Sequence, residues 1–218
     1  GQTSHIVYAA GAMMGNVLSE YMVPNIEVTD GSQGVRVQSL ATYFPSSYAL
    51  ACTWDLELAE RFGNAVGMEC ASSGIDIWLG PGMNIIRNPL CGRNFEYYSE
   101  DPLVTGKFAA AVTKGVQSNN IGVSLKHFMA NNKEKERGPS DSQVSERALR
   151  EIYLRGFEIC VKEADPVSIM STCGIVNGTG AAGNYDLMTA IPRDEWGFSG
   201  FFMSDWANMD GEVDELLA

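Results

Sequence analysis

The sequence of 218 residues has little positive charge and no long apolar run. Lys and Arg number 15 against 27 Asp and Glu, which gives a formal net charge of −12 at pH 7. So acidic a surface repels phosphate backbones. Apolar runs such as Gly200 to Met203 are far shorter than the roughly 20 residues that a bilayer span requires. We therefore expect neither nucleic acid nor a membrane as a partner.

The cysteines show no metal-binding or disulfide pattern. There are five, an odd number, with no CxxC pair and no Cys/His ligand spacing. We expect buried, unpaired thiols that pack as small hydrophobic groups, and no zinc site. No motif requires a metal or a cofactor. The chain opens with no charged and apolar leader, so the expected location is the reducing cytoplasm.

Short apolar or β-rich runs alternate with helical periodicity. The predicted strands are residues 25–29, 75–79, 121–125, 167–171 and 201–204. The predicted helices are residues 54–71, one that opens at Asp101 and Pro102, one that opens at Ser145, and residues 184–196, interrupted at Pro192.

The alternation of apolar strands with helices indicates an α/β protein with a parallel sheet covered by helices. The open alternative, a doubly wound sheet, predicts a phosphate turn of the GxGxxG or GxxxxGK[ST] type, and neither occurs. A TIM-type (β/α)8 barrel is therefore favoured. Complete barrels need about 250 residues, so we expect residues 1–218 to form one incomplete barrel domain.

Polar side chains follow several predicted strands, as a barrel requires of its catalytic face. Asp30 follows the first strand, Lys126 and His127 the third, and Asp205, next to Trp206, the fifth. A carboxylate such as Asp205 can attack an electrophilic carbon, and an indole can face the apolar side of a sugar ring. A helix cap or an ion pair is the alternative role for Asp205, and a buried, structural imidazole for His127.

Two arginines in polar loops are further candidates. Arg93 and Arg137 each offer a rigid fork of donors to vicinal hydroxyls or to a carboxylate. Arg137 lies in a run of charged residues, where an exposed salt bridge is the ordinary alternative.

These stretches together resemble glycoside hydrolase family 3, specifically its (β/α)8 barrel domain. The matching blocks are residues 29–36, 80–85, 87–102, 126–128, 145–153, 195–198 and 204–206. The resemblance implies retaining hydrolysis of terminal β-D-glucosyl residues by double displacement, with Asp205 as the nucleophile. It also implies substrate contacts from Asp30, Arg93, Lys126, His127, Arg137, Met170, Cys173 and Trp206.

The resemblance also bears on substrate choice. Asp rather than Glu at position 30 is typical of members that act on hexoses, so glucose is expected. An N-acetylglucosaminidase is disfavoured, because residues 131–140 do not resemble the acid-catalysis loop of that branch.

Two positions depart from the family pattern. The Tyr whose hydroxyl steadies the nucleophile is replaced by Cys173, a shorter and weaker donor. Ser32 stands where a Pro commonly follows the Asp-Gly pair, which loosens the loop but removes no ligand.

The general acid/base is not apparent in these residues. In much of the family it is a Glu on an α/β sandwich domain, which we expect in another segment or chain. Glu96, Glu100, Glu134 and Glu136 are expected to be caps or salt-bridge partners. A non-catalytic sugar-binding barrel, or a decayed fragment of an enzyme, remains the alternative function.

Overall fold

The computed structural model describes residues 26–37 and 40–206. Five parallel strands form the main sheet in the order β1-β2-β3-β5-β8: β1 Val28–Asp30, β2 Ile77–Leu79, β3 Gly122–Phe128, β5 Ser168–Ser171 and β8 Phe201–Met203. Each of the five predicted strands is confirmed, although residue 25 lies outside the described residues. A small second sheet contains β4 Asp141–Ser142, β6 Ile175–Val176 and β7 Thr179–Gly180.

The helices fall between the strands of the main sheet. They are α1 Ser47–Ala51, α2 Leu56–Ser72, α3 Pro102–Gln117, α4 Glu146–Ala148 and α5 Arg155–Ala164. Short 3-10 turns cover Asn94–Glu96 and Ala181–Gly183, and π-helical segments cover Leu149–Tyr153 and Asp186–Glu195. Within the described ranges, no helix is both long and apolar enough to cross a membrane.

Capping residues set where the long helices begin. Asp55 accepts from the backbone N–H of Leu58 at 2.9 Å, so α2 begins after the predicted residue 54, and Trp54 has a left-handed φ of 56°. Asp101 caps α3 and Pro102 occupies its first turn, as predicted.

Two predicted helices differ in detail. The helix that opens at Ser145 changes to π geometry before α5, because Leu154 N–H bonds to the carbonyl of Leu149. Pro192 does not interrupt the last predicted helix but lies inside its π-helical turns, where Ile191 accepts from Trp196 N–H.

The two faces of the sheet bury different residues. One face packs on α2, α3 and α5 in the main hydrophobic core. α2 and α3 approach closely at Gly63 and Gly115, since a Cβ on Gly115 would lie 2.1 Å from the carbonyl oxygen of Glu60. The other face carries a smaller cluster of Val28, Ile77, Leu79 and Met170, with Met203 and Trp206 packed against it.

The sheet has the order and parallel direction of a barrel wall, and it is not closed within the described residues, where β1 and β8 are its edges. All five cysteines are described, and all are free thiols. Cys70, Cys91 and Cys160 are buried as expected. The prediction was wrong for Cys52, which is exposed because it caps the end of the short surface helix α1, and only partly right for Cys173, which is half-buried.

Candidate active site

Strand alternation places three of the predicted site residues on the inner face of the sheet. Successive side chains of a strand point to opposite faces, so Asp30 shares a face with Val28. Asp205 comes two residues after Met203, which belongs to the same inner cluster. Lys126 lies two residues after Ser124 on β3. The carboxyl ends of these strands therefore bring two carboxyl groups and an ammonium group to one mouth.

A buried ion cluster forms around Lys126, which is 3% exposed. Its Nζ lies 3.0 Å from Asp30 Oδ1 and 3.9 Å from Glu96 Oε2. Glu96 is also buried, and it accepts from Arg93 Nε and from Ser32 Oγ. These mutual contacts compensate the charges that burial would otherwise leave unpaired.

Asp205 is 4% exposed and is held from three sides. The backbone N–H of Trp206 donates to its Oδ1 at 2.8 Å, and Arg137 Nη2 lies 3.8 Å from its Oδ2. The Cys173 thiol lies on the third side, close enough to interact electrostatically with the same side chain. Burial and the charge of Asp205 raise the pKa of Cys173 to about 12. The thiol therefore keeps its proton at neutral pH.

His127 is buried beside this cluster, with 1% of its surface exposed. Asn84 fixes its backbone twice: Oδ1 accepts from His127 N–H at 2.9 Å, and Nδ2 donates to His127 O at 2.8 Å. Burial, together with the charges of Arg93, Lys126 and Arg137, lowers the pKa of His127 well below its usual 6.5. The imidazole is therefore neutral at physiological pH.

The charged loop after β3 folds back over the mouth. Arg137 Nη1 donates to Glu134 Oε2 at 3.3 Å, while its other terminal nitrogen faces Asp205. Glu134 accepts from Asn131, and Asn131 also donates to Tyr97 OH at 3.1 Å. Arg137 is thus part of the site and not only an exposed salt bridge.

The structure gathers the predicted site residues at one end of the sheet. Met170 lies in the inner apolar cluster against which Trp206 packs. Asp30, Arg93 and Lys126 belong to the ion cluster, and Arg137 lies beside Asp205. Sequence reasoning missed Asn84, Tyr97 and Asn131. Glu96 forms a salt bridge with Arg93, as expected, but its burial in the ion cluster was not predicted. The available signal was that Asn84 lies in the matching block 80–85 and that Tyr97 lies in the same block as Arg93.

The other acidic candidates divide by exposure. Glu134 forms the expected salt bridge, whereas Glu100 and Glu136 are exposed.

Beside the ion cluster lies a cleft of about 470 Å³, and Asp30, Arg93, Glu96 and Lys126 line one side of it. Phe95 and Tyr43, both exposed aromatics, line it as well. No group of potential metal ligands occurs among residues 26–37 and 40–206.

The comparison with protein families decides which family the chain belongs to. Residues 4–216 match the model of the glycosyl hydrolase family 3 N terminal domain. The chain belongs to glycosyl hydrolase family 3. Its (β/α)8 barrel fold is that of the family 3 N-terminal domain, of which the described parallel sheet is a part.

Two longer proteins show how much of a relative's length this chain matches. The chain is 50% identical over 205 residues to β-glucosidase A of Butyrivibrio fibrisolvens, covering 92% of this chain and 25% of the relative. It is 46% identical over 198 residues to an exo-α-(1→6)-L-arabinopyranosidase of Bifidobacterium longum, covering 84% of this chain and 26% of the relative. The chain thus spans about a quarter of the length of these relatives.

A solved family 3 structure matches the fold closely. It is β-glucosidase 3B from Thermotoga neapolitana in complex with α-D-glucose, with a TM-score of 0.88 and 47% identity. The match covers 90% of this chain and 29% of that one. These relatives support assignment of the chain as a glycosyl hydrolase.

His127 should make stability depend on pH. The pKa of His127 is lower in the folded state, so below pH 6.5 the unfolded chain binds a proton that the folded chain does not bind. The free energy of unfolding therefore falls as the pH falls. Between pH 6.5 and 5.5 this costs at most about 1 kcal/mol, the value for a folded ring that binds no proton. Urea unfolding at pH 6.5 and pH 5.5 should show that His127→Gln loses less free energy of unfolding than the wild type between these pH values. His5→Gln is the matched control for replacing a histidine. Equal pH dependence in the wild type and His127→Gln would contradict the assignment.

Proposed function

We propose that this chain supplies the nucleophile and the sugar-binding side chains of a retaining β-glucosidase that acts on terminal, non-reducing β-D-glucosyl residues. The observation that carries the proposal is the buried carboxylate of Asp205, held by the Trp206 N–H and by Arg137, with the protonated Cys173 thiol beside it. It lies at the mouth that also gathers Lys126 and its partners. Membership of family 3 and the β-glucosidase relatives support the same reading.

In the first step, an oxygen of Asp205 attacks the anomeric carbon, and the bond to the leaving oxygen breaks as an acid protonates that oxygen. The glycosyl ester is then cleaved by water, which gives its proton to the same group acting as a base. The Trp206 N–H restricts rotation of the carboxylate, so its orientation is set before substrate binds.

The ion cluster offers the donors and acceptors that a polyol needs. Asp30 accepts hydrogen bonds, while Lys126 and Arg93 donate them. Since Asp30 and Lys126 lie 3.0 Å apart, adjacent sugar hydroxyls can bridge a donor and an acceptor. Trp206 and Met170 supply the apolar surface for the ring carbons.

A pentopyranoside is the second candidate substrate. The observation that favours it is the 46% identity to an exo-α-(1→6)-L-arabinopyranosidase, which is close to the 50% identity to β-glucosidase A. Turnover of nitrophenyl β-D-glucoside and α-L-arabinopyranoside by the whole protein, compared through kcat/KM, separates the two.

Replacement of Asp205 should abolish hydrolysis by the whole protein. Asp205→Asn and Asp205→Gly cannot form the glycosyl ester, so turnover of an aryl β-glucoside should fall to background. Azide should restore activity to Asp205→Gly and give the glycosyl azide of opposite anomeric configuration. Asp194→Asn, at an exposed position, is the matched control and should retain activity. Near wild-type rates in either Asp205 variant would remove Asp205 from the role.

We further propose that the acid/base lies on an α/β sandwich domain outside these residues. Both oxygens of Glu96, the one fully buried Glu near the site, already accept hydrogen bonds from Arg93 and Ser32. That arrangement suits a charged positioning group and leaves no carboxyl proton aimed at a leaving oxygen. The length of the relatives leaves room for such a domain.

The 218-residue chain alone should therefore favour activated substrates. General acid catalysis contributes roughly 10² to 10⁴ in rate, and a dinitrophenyl group leaves without it. We expect slow release of dinitrophenol and no measurable hydrolysis of methyl β-glucoside, with the latter restored in the whole protein.

Two outcomes would contradict this account. Rapid methyl glucoside hydrolysis by the chain alone would place the acid/base within it, with Glu96, Glu134 and Glu136 the first residues to replace. Glucose binding without turnover of either glycoside by the whole protein would favour the non-catalytic barrel.

A further inference from the structure

We propose that Tyr97 and Asn131 are positioning residues that fix the His127 imidazole as its Nε2–H tautomer, so that Nε2 donates to a substrate hydroxyl. The tautomer follows from contacts within the chain. Only the last step, the contact with substrate, rests on the proposed function.

The argument begins at the Glu134 carboxylate, which can only accept hydrogen bonds when ionised. Arg137 Nη1 lies 3.3 Å from Glu134 Oε2, and Asn131 Nδ2 lies 2.9 Å from Glu134 Oε1. The amide of Asn131 must therefore present its NH₂ end, and not its oxygen, to this side of the site. The carboxylate fixes the orientation of the amide.

The same nitrogen of Asn131 lies 3.1 Å from Tyr97 OH. Because Nδ2 carries two protons and no acceptor, the phenol oxygen accepts this bond. Tyr97 is fully buried, and burial and the charge of Glu96 raise its pKa above the ordinary value, so it keeps its own proton. That proton has one partner among the described contacts, His127 Nδ1 at 3.3 Å.

Nδ1 of His127 is thereby the acceptor, and in a neutral imidazole the ring proton then resides on Nε2. Burial and the charges of Arg93, Lys126 and Arg137 lower the pKa of His127, which keeps the ring neutral. Two hydrogen bonds from Asn84 hold the backbone in place. Within residues 26–37 and 40–206, Nε2 has no hydrogen-bond partner, so its proton is available to a ligand.

Nitrogen NMR of the whole protein, labelled with ¹⁵N-histidine, tests the tautomer directly. His127→Gln identifies the His127 signals by their loss. We expect His127 to carry its proton on Nε2 from pH 8 to pH 5.5. Tyr97→Phe should produce a mixture with Nδ1–H, because Nδ1 loses its donor. Asn131→Leu should shift the population in the same direction. The matched control is Tyr98→Phe, which removes the hydroxyl of the neighbouring buried tyrosine and should leave the His127 signals unchanged.

An Nδ1–H signal in the wild type, or an unchanged tautomer in Tyr97→Phe, would overturn the positioning role. The contact with substrate is tested separately in the whole protein, where Tyr97→Phe should lower kcat/KM about five- to tenfold. An altered tautomer with unchanged kcat/KM would overturn that contact. If the whole protein hydrolyses no glycoside, the NMR result stands while the proposed function fails.

Discussion

The buried ammonium group of Lys126 joins the parts of the chain that make the site. A charge removed from water costs several kcal/mol unless it is paired. Asp30 on β1 and Glu96 on the loop after β2 provide that pairing, so the ends of β1 and β3 and this loop are held together. Glu96 in turn holds Arg93. Charge compensation therefore links the polar groups at the mouth to one another.

Local patterns in the sequence are sufficient to predict most of the sheet and its helices. Asp101 caps its helix as predicted, and the apolar runs form parallel strands in barrel order. Asp30, Lys126 and Asp205 were predictable because they directly follow such runs. The π-helical segments were not, since the shift in hydrogen bonding depends on tertiary packing and leaves no clear periodic signal.

The supporting residues could not be found in this way because their roles depend on long-range folding of loops. Ser32 and Glu96 meet across 64 residues, and Asn84 and His127 across 43. The local sequence around Glu96 does not distinguish it from a surface acid, and that around Tyr97 does not distinguish it from a core aromatic residue. Cys173 shows the opposite case: the resemblance identified its position, and the structure supplies the reason it can act there, a protonated thiol facing Asp205.

The central claim, that Asp205 forms a covalent bond with the sugar, is tested most directly by trapping the intermediate. Dinitrophenyl 2-deoxy-2-fluoro-β-D-glucoside combines a leaving group that needs little protonation with a ring whose glycosyl ester hydrolyses slowly. After incubation with the whole protein, the intact mass should rise by one fluoroglucosyl group. Peptide mass spectrometry should place that group on Asp205. A label on a different carboxylate such as Glu96, or steady turnover of ordinary β-glucosides with inverted configuration and no label, would contradict the account.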